Sequence, residues 1–189
     1  ASLNTSARQD GQEWVISGAK TFITNGVYGD LYFVAARTNQ NGPRHQQLSQ
    51  FLVERNTPGL TVTNKLSKTG MWASDTAELS FDNVRVPSNA LIGKEGQGFY
   101  QLAEGLQRER LVAAILSVSA SHQAVDDTQL YLSHREAFGA PLSDMQSLRH
   151  KVANMATQVE AARRLTYHAI EKFVSGKECV QEVSMAKLF

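Results

Sequence analysis

A disulfide framework, a long apolar run and an excess of one charge are all missing from this sequence of 189 residues. Cys179 is the single cysteine, which excludes internal disulfides and favours a reducing compartment. No apolar run approaches the roughly 20 residues that cross a bilayer, so we expect no membrane span. The formal net charge is +1 without blocks of like charge, which argues against nucleic acid as a partner.

Histidine spacing and the two ends of the sequence support three further expectations. The five histidines do not have the spacing of a zinc site, and we predict no metal. We expect no signal peptide at the start of this sequence. The sequence starts without methionine and stops in helix-like sequence, so we expect a piece of a longer protein.

Up to about residue 92 the apolar pattern has a period of two, with turn residues at short intervals, which predicts strands. A tight hairpin is expected at Gly18 and Ala19. The six expected strands are EWVISG, KTFITN, LYFVAART, SQFLVER, LTVTNKL and TAELSFDNVRV. Short strands at this spacing predict a small antiparallel barrel or sandwich as a β domain over residues 1–92.

From residue 93 to residue 189 the pattern is helical. A first helix is expected from Gln97 to about His134, and a second, capped by Ser143, to about Ser175. Gly176 is expected to end the second helix before a third begins. Long helices joined by short loops predict the first part of an up-down helical bundle, so the fold class is α+β.

A carboxylate interrupts an apolar stripe of the first helix. Glu109 shares one helical face with six apolar residues: Phe99, Leu102, Leu106, Ala113, Leu116 and Ala120. Burial on a core-facing stripe would raise the pKa of this carboxyl towards that of a general base. Two alternatives stay open: Glu109 forms a structural ion pair, or the helix turns it towards water. Glu104 is spaced to pair with Arg108.

Six segments in this order resemble the acyl-CoA dehydrogenase family: GAKTFITNG, LYFVAART, FLVERNTPGL, SDTAELSFDNVRVP, LQRERLVAA and REAFGAPLSDMQ. The resemblance covers nearly the whole chain. It implies the middle β domain of such a protein and roughly the first half of its C-terminal four-helix domain. It also implies a cytoplasmic location in a bacterium or the mitochondrial matrix in a eukaryote.

The resemblance implies FAD as the cofactor. Phe22 would pack on the flavin ring, the backbone of Ile23 would lie alongside, and Thr24 would hydrogen-bond near the flavin N5 edge. Residues 22 and 24 point to the same side of a strand, so an aromatic ring and a hydroxyl can reach one ligand. Many relatives have tryptophan at the position of Phe22.

A second set of FAD contacts comes from the REAFGAPLSDMQ segment. By the resemblance, Arg135 and Gln146, with Phe138 close by, touch the FAD of a neighbouring subunit. An arginine fork suits a diphosphate. The cofactor site would then be shared between chains of a homo-oligomer, which in this family is usually a dimer of dimers.

The family divides over the position of its catalytic glutamate. In most members it lies late in the C-terminal domain, whereas in a smaller branch it lies on the first C-terminal helix in a Glu-Arg-Leu context. Arg108 to Leu111 reads RERL and resembles that branch, which makes Glu109 the expected base. The later position stays open as the alternative. Gln107, Arg108 and Arg110 are the expected substrate contacts beside it.

The implied reaction is α,β-dehydrogenation of an acyl-CoA thioester. A carboxylate removes the α-proton while the β-hydrogen leaves as hydride to flavin N5, and an electron-transfer flavoprotein accepts the electrons. Two alternatives keep the fold: an acyl-CoA oxidase or flavin monooxygenase relative, and a non-catalytic fragment. We expect the 189 residues alone to be inactive.

Overall fold

The first part of the chain forms a six-stranded sheet in the computed structural model, which describes residues 3–189. The strands lie in the order β4-β3-β1-β2-β6-β5. Their bounds are β1 Ser6–Asp10, β2 Glu13–Thr24, β3 Leu31–Arg37, β4 Leu48–Glu54, β5 Leu60–Lys65 and β6 Thr76–Pro87. Residues 1 and 2, where the predicted β domain begins, lie outside the described residues.

Neighbouring strands pair antiparallel, except for β1 and β3, which run parallel where Ser6 lies opposite Arg37. The tight hairpin predicted at Gly18 and Ala19 is wrong, because β2 runs through both residues. Gly18 has φ +139, and a Cβ there would lie 2.7 Å from Cα of Thr5. The glycine therefore permits a close approach of two backbones rather than a turn. β1 supplies the sixth strand instead.

The core of this part lies on one face of the sheet. Along β3 and β4 every second side chain is buried, as expected for strands with one covered face. The rings of Trp14 and Phe51 pack at a centroid distance of 5.2 Å. The other core side chains are Ala7, Ile16, Tyr32, Val34, Ala36, Val53, Leu79, Phe81, Val84 and Val86.

The second part of the chain is helical, so the α+β class is confirmed. The helices are α1 Gly98–His134, α2 Gln146–Val174 and α3 Val180–Leu188. A short hairpin of β7 Glu136–Ala137 and β8 Ala140–Pro141 joins α1 to the segment before α2. The helices share a small apolar core: Leu111, Ala114, Ala169, Cys179, Val183 and Ala186.

The predicted ends of α2 have different outcomes. Gly176 has φ +67 and its amide donates to the carbonyl of Phe173, which confirms the predicted end of the helix. Ser143 does not cap the helix, because it lies in a 3-10 turn over Leu142–Asp144 and the cap residue is Met145.

Contacts between residues divide the chain into two compact units, one ending at Ala103 and another over Glu104–Phe189. The domain boundary after residue 92 stays a prediction.

Candidate functional site

A β-bulge near the end of β2 determines where Phe22 points. Lys20 lies opposite Leu79 of β6, and the next paired residues are Ile23 and Ala77. Three steps along β2 therefore match two along β6, and the extra residue falls at Thr21–Phe22. Directly opposed side chains lie on the same face of a sheet, and Leu79 and Ala77 are both core residues. Lys20 and Ile23 are thus on the core face.

The bulge carries Phe22 out of the core. In an uninterrupted strand residue 22 would share the core face with residue 20. Instead Phe22 has φ +63 and is 75% exposed, Ile23 packs against the core, and Thr24 is exposed. The aromatic ring and the hydroxyl are therefore both exposed, and their approach to one shared ligand stays a prediction. A positive φ is costly for a bulky residue and persists only where the surrounding structure enforces it.

The turn after Thr24 is fixed by two residues that the sequence analysis missed. Asp75 is buried, and its Oδ2 accepts a hydrogen bond of 2.6 Å from the backbone amide of Val27. Tyr32 of β3 donates from its hydroxyl to the carbonyl of Gly26 at 3.0 Å. A Cβ on Gly26 would lie 2.7 Å from Cβ of Ala77, so only glycine fits there. Burial raises the pKa of the Tyr32 phenol.

Lys20 is the third residue that the sequence analysis missed. Its Nζ donates a hydrogen bond of 2.7 Å to the backbone carbonyl of Ala35 in β3. Burial lowers the pKa of this amine to about 8. The alternation of β2 could have marked Lys20 as a lysine at an inward position, but only with the strand register known.

The predicted substrate contacts form one turn of α1. Glu109 and Arg110 are exposed, and the exposed pair Glu104 and Arg108 lies at 3.7 Å, as the spacing predicted. Glu109 is not among the ion pairs of residues 3–189. Of the two alternatives to burial, the structure thus shows a glutamate that faces water. Gln107 has a buried Oε1 without a hydrogen-bond partner among the described residues.

The predicted core-facing stripe of α1 is not buried within residues 3–189. Four of its apolar side chains are exposed: Phe99, Leu102, Leu106 and Leu116. The buried residues of the helix lie on another face and include Leu111, Ala114 and Val125. A helical period shows which residues share a face, but packing decides which face is covered. Glu109 is therefore an accessible carboxylate on an exposed apolar surface.

The REAFGAPLSDMQ segment presents a strained aromatic residue. Phe138 and Gly139 link β7 to β8 with φ +56 and +83, the two positive values of a type I′ turn. The first position favours asparagine or glycine, yet Phe138 occupies it and is 96% exposed. Arg135 ends in solvent just before the hairpin, and Gln146 is exposed at the start of α2. Arg135, Phe138 and Gln146 are thus all exposed, and their role in cofactor binding stays a prediction.

Other kinds of site are not found among the described residues. Within residues 3–189 no group of three or more His, Cys, Asp or Glu side chains is placed to hold a metal ion. None of the described helices combines the length and apolarity needed to cross a membrane.

Two family models match the chain in succession. The acyl-CoA dehydrogenase middle domain matches residues 1–84, and the acyl-CoA dehydrogenase C-terminal domain matches residues 96–189. The chain belongs to the acyl-CoA dehydrogenase family. The matched segments contain the bulged end of β2, the turn of α1 around Glu109 and the β7–β8 hairpin.

Curated and solved acyl-CoA dehydrogenases resemble the chain along its full length. It is 41% identical over 188 residues to an acyl-CoA dehydrogenase of Bacillus subtilis, covering 100% of this chain and 49% of the relative. The long-chain specific acyl-CoA dehydrogenase of Sus scrofa mitochondria is 39% identical over 187 residues. The match covers 98% of this chain and 43% of that relative. The crystal structure of acyl-CoA dehydrogenase from Geobacillus kaustophilus superposes with a TM-score of 0.93 at 44% identity, covering 97% and 49%. The chain spans about half the length of the curated relatives it matches.

Proposed function

We propose that the complete protein is an FAD-dependent acyl-CoA dehydrogenase. The observation that carries the proposal is the outward-facing pair Phe22 and Thr24 on the bulged end of β2, in a chain that matches the family in both parts. An exposed aromatic ring beside a hydroxyl suits a flat heteroaromatic ligand with polar edges.

The residues of this chain fit FAD. Phe22 would lie against the flavin ring, and Thr24 and the Ile23 backbone would hydrogen-bond along its edge. Bound FAD would supply the hydride acceptor of the reaction. Because Asp75 and Tyr32 fix the turn beyond Thr24, this segment is organised before the cofactor binds.

Glu109 is the proposed base that removes the α-proton of the acyl thioester. An exposed carboxylate can receive a substrate, and closure of the surrounding apolar surface over an acyl chain would exclude water from it. Without water around it, the carboxylate would be better placed to accept a proton, as a base requires. The exposed side chains of Arg108 and Arg110 would lie beside the substrate, and Gln107 would contact its CoA part.

The β7–β8 hairpin supports a cofactor site shared between subunits. Arg135, Phe138 and Gln146 would bind the diphosphate and adenosine part of the FAD of a neighbouring chain. The strain at Phe138 and its nearly complete exposure are consistent with a side chain that is held out for a second molecule. The proposed protein is accordingly a homo-oligomer, a dimer of dimers, with an electron-transfer flavoprotein as electron acceptor.

Anaerobic titration of the purified complete protein tests the function. We expect flavin absorbance that bleaches when an acyl-CoA is added. Re-oxidation should need an electron-transfer flavoprotein and should be slow in air. Absence of flavin, or bound flavin that no acyl-CoA bleaches, would refute the proposal, and rapid peroxide formation would favour the oxidase alternative.

A further inference from the structure

The sheet opens between β2 and β3 at the level of the Phe22–Thr24 segment. β1 lies between these two strands, but its pairing with β2 stops at Ser6 opposite Ser17, and its only pairing with β3 is at Ser6. Thr5, just before β1, makes the last hydrogen bonds between the two strands. Its hydroxyl donates to the carbonyl of Ala19 in β2 at 2.9 Å, and its own carbonyl accepts from the amide of Arg37 in β3. Beyond this point no strand of residues 3–189 separates the end of β2 from β3.

Lys20 crosses this opening with its side chain. It stands on the core face opposite Leu79, which is 2% exposed, and its Nζ reaches the carbonyl of Ala35 at 2.7 Å. An ammonium on an apolar face is unfavourable unless it is hydrogen-bonded. The same bond gives a partner to a carbonyl on the edge of β3 that β1 does not reach. One side chain thus replaces the missing part of a strand ladder.

The position of Lys20 in β2 connects this bond to the bulge. Lys20 is the last paired residue before the extra residue, and Ile23 is the next. The backbone between them has β6 on one side only, and Lys20 ties it to β3 on the other. Movement of β2 away from β3 would change the direction of Phe22.

We propose that Lys20 is a positioning residue, whose ammonium bridges β2 to β3 and holds the Phe22–Thr24 segment in the conformation that binds the flavin. This inference rests on the proposed FAD function. Lys20 itself touches neither substrate nor cofactor in this assignment.

Titration of Lys20 offers a readout that a purely structural lysine would not give. Burial lowers its pKa to about 8, and no charged group contributes to that lowering. Of the strands beside it, β3 carries Arg37 and the buried phenol of Tyr32, and β6 carries Glu78, which alternates with Leu79 to the other face. Above its pKa the amine loses the charge that strengthens its bond to Ala35.

Three variants of the complete protein separate the possibilities. Lys20→Met keeps the length of the side chain and removes the donor, Lys20→Arg keeps a donor that stays charged, and Lys94→Met is a control at an exposed lysine. FAD affinity is measured from flavin fluorescence at about pH 7 and about pH 9, on either side of the pKa of Lys20. Amide hydrogen exchange of residues 21–26 is measured in the flavin-free proteins.

We expect Lys20→Met to weaken FAD binding about tenfold, as loss of one charge-assisted hydrogen bond would, and to speed amide exchange in residues 21–26. Wild type and Lys94→Met should bind FAD several-fold more weakly at the higher pH, whereas Lys20→Arg and Lys20→Met should show no such dependence. If the wild type binds FAD and Lys20→Met has the same FAD affinity and the same amide exchange as the wild type, the role of Lys20 is refuted. The proposed FAD function would then still stand. Should Lys20→Met fail to fold, a flat wild-type pH profile would overturn it. A wild type without FAD affinity would instead refute the proposed function.

Discussion

Asp75 accepts a hydrogen bond of 2.6 Å from the backbone amide of Val27, across 48 residues of sequence. The carboxylate is buried just before β6 begins, and the backbone carbonyl of the same residue accepts a hydrogen bond from the amide of Asn25. Asp75 therefore holds two backbone amides of the turn that follows the proposed flavin-binding segment.

Replacement of Asp75 by alanine should destabilise the protein by about 1–3 kcal/mol, because the amide of Val27 would lose its partner in a partly buried position. Urea unfolding monitored by tryptophan fluorescence measures the change. Asp30→Ala is the control, since Asp30 is exposed in the same connection, and it should stay within about 0.5 kcal/mol of wild type. Equal stability of the two variants would show that the bond contributes nothing.

Replacement of Phe22 by glycine should separate stability from cofactor binding. Glycine adopts the φ of +63 at this position without strain, so the variant should be as stable as wild type or up to about 1 kcal/mol more stable. FAD affinity should nevertheless fall, because the ring that contacts the flavin is gone. Phe22→Ala removes the same ring and retains the strain, so it should be the less stable of the two and bind FAD equally weakly. Strong FAD binding by both variants would remove Phe22 from the cofactor site.

Replacement of Glu109 by glutamine in the complete protein should leave FAD bound while its reduction by acyl-CoA slows by orders of magnitude, because the amide cannot accept the α-proton. Stopped-flow absorbance of the flavin measures the rate. Glu104→Gln is the matched control, since Glu104 is an exposed glutamate of the same helix paired with Arg108. An undiminished rate in Glu109→Gln would assign the base to the alternative position late in the C-terminal domain.

The ion pairs of Glu160 predict a pH dependence of stability. Hydrogen bonds from Arg163 and Arg164 lower its pKa from the ordinary 4.5 to about 2. A depressed carboxyl pKa stabilises the folded state above the unfolded pKa, and this stabilisation is lost as the pH falls from 4.5 towards 2. We therefore expect Glu160→Gln to be less stable than wild type near neutral pH. At a pH near the folded-state pKa of about 2 the two proteins should be equally stable. Salt should reduce the difference because the group is on the surface. A stability difference that stays constant across this pH range would contradict the assignment.

Local signals in the sequence predicted the elements better than their pairing. The period of three to four residues placed α1 within one residue of its observed start, and Gly176 marked the end of α2. Gly18 was misread because a glycine between two apolar runs is typical of a turn. Glycine is needed at this position because the backbone of Thr5, 13 residues away in sequence, comes close to it. No local sequence pattern reveals that contact.

The amino-acid sequence by itself determined the α+β class, the family and the set of candidate residues, because apolar periodicity and motif order are properties of the chain alone. Tertiary structure decided what those residues face. Register against β6 turns Phe22 outward through one extra residue, and the packing of α1 leaves Glu109 and its apolar neighbours exposed. The hydrogen bond from Lys20 to β3 likewise depends on how β2 and β3 are arranged in the fold. The direction and the burial of a side chain depend on contacts between segments that are distant in the sequence.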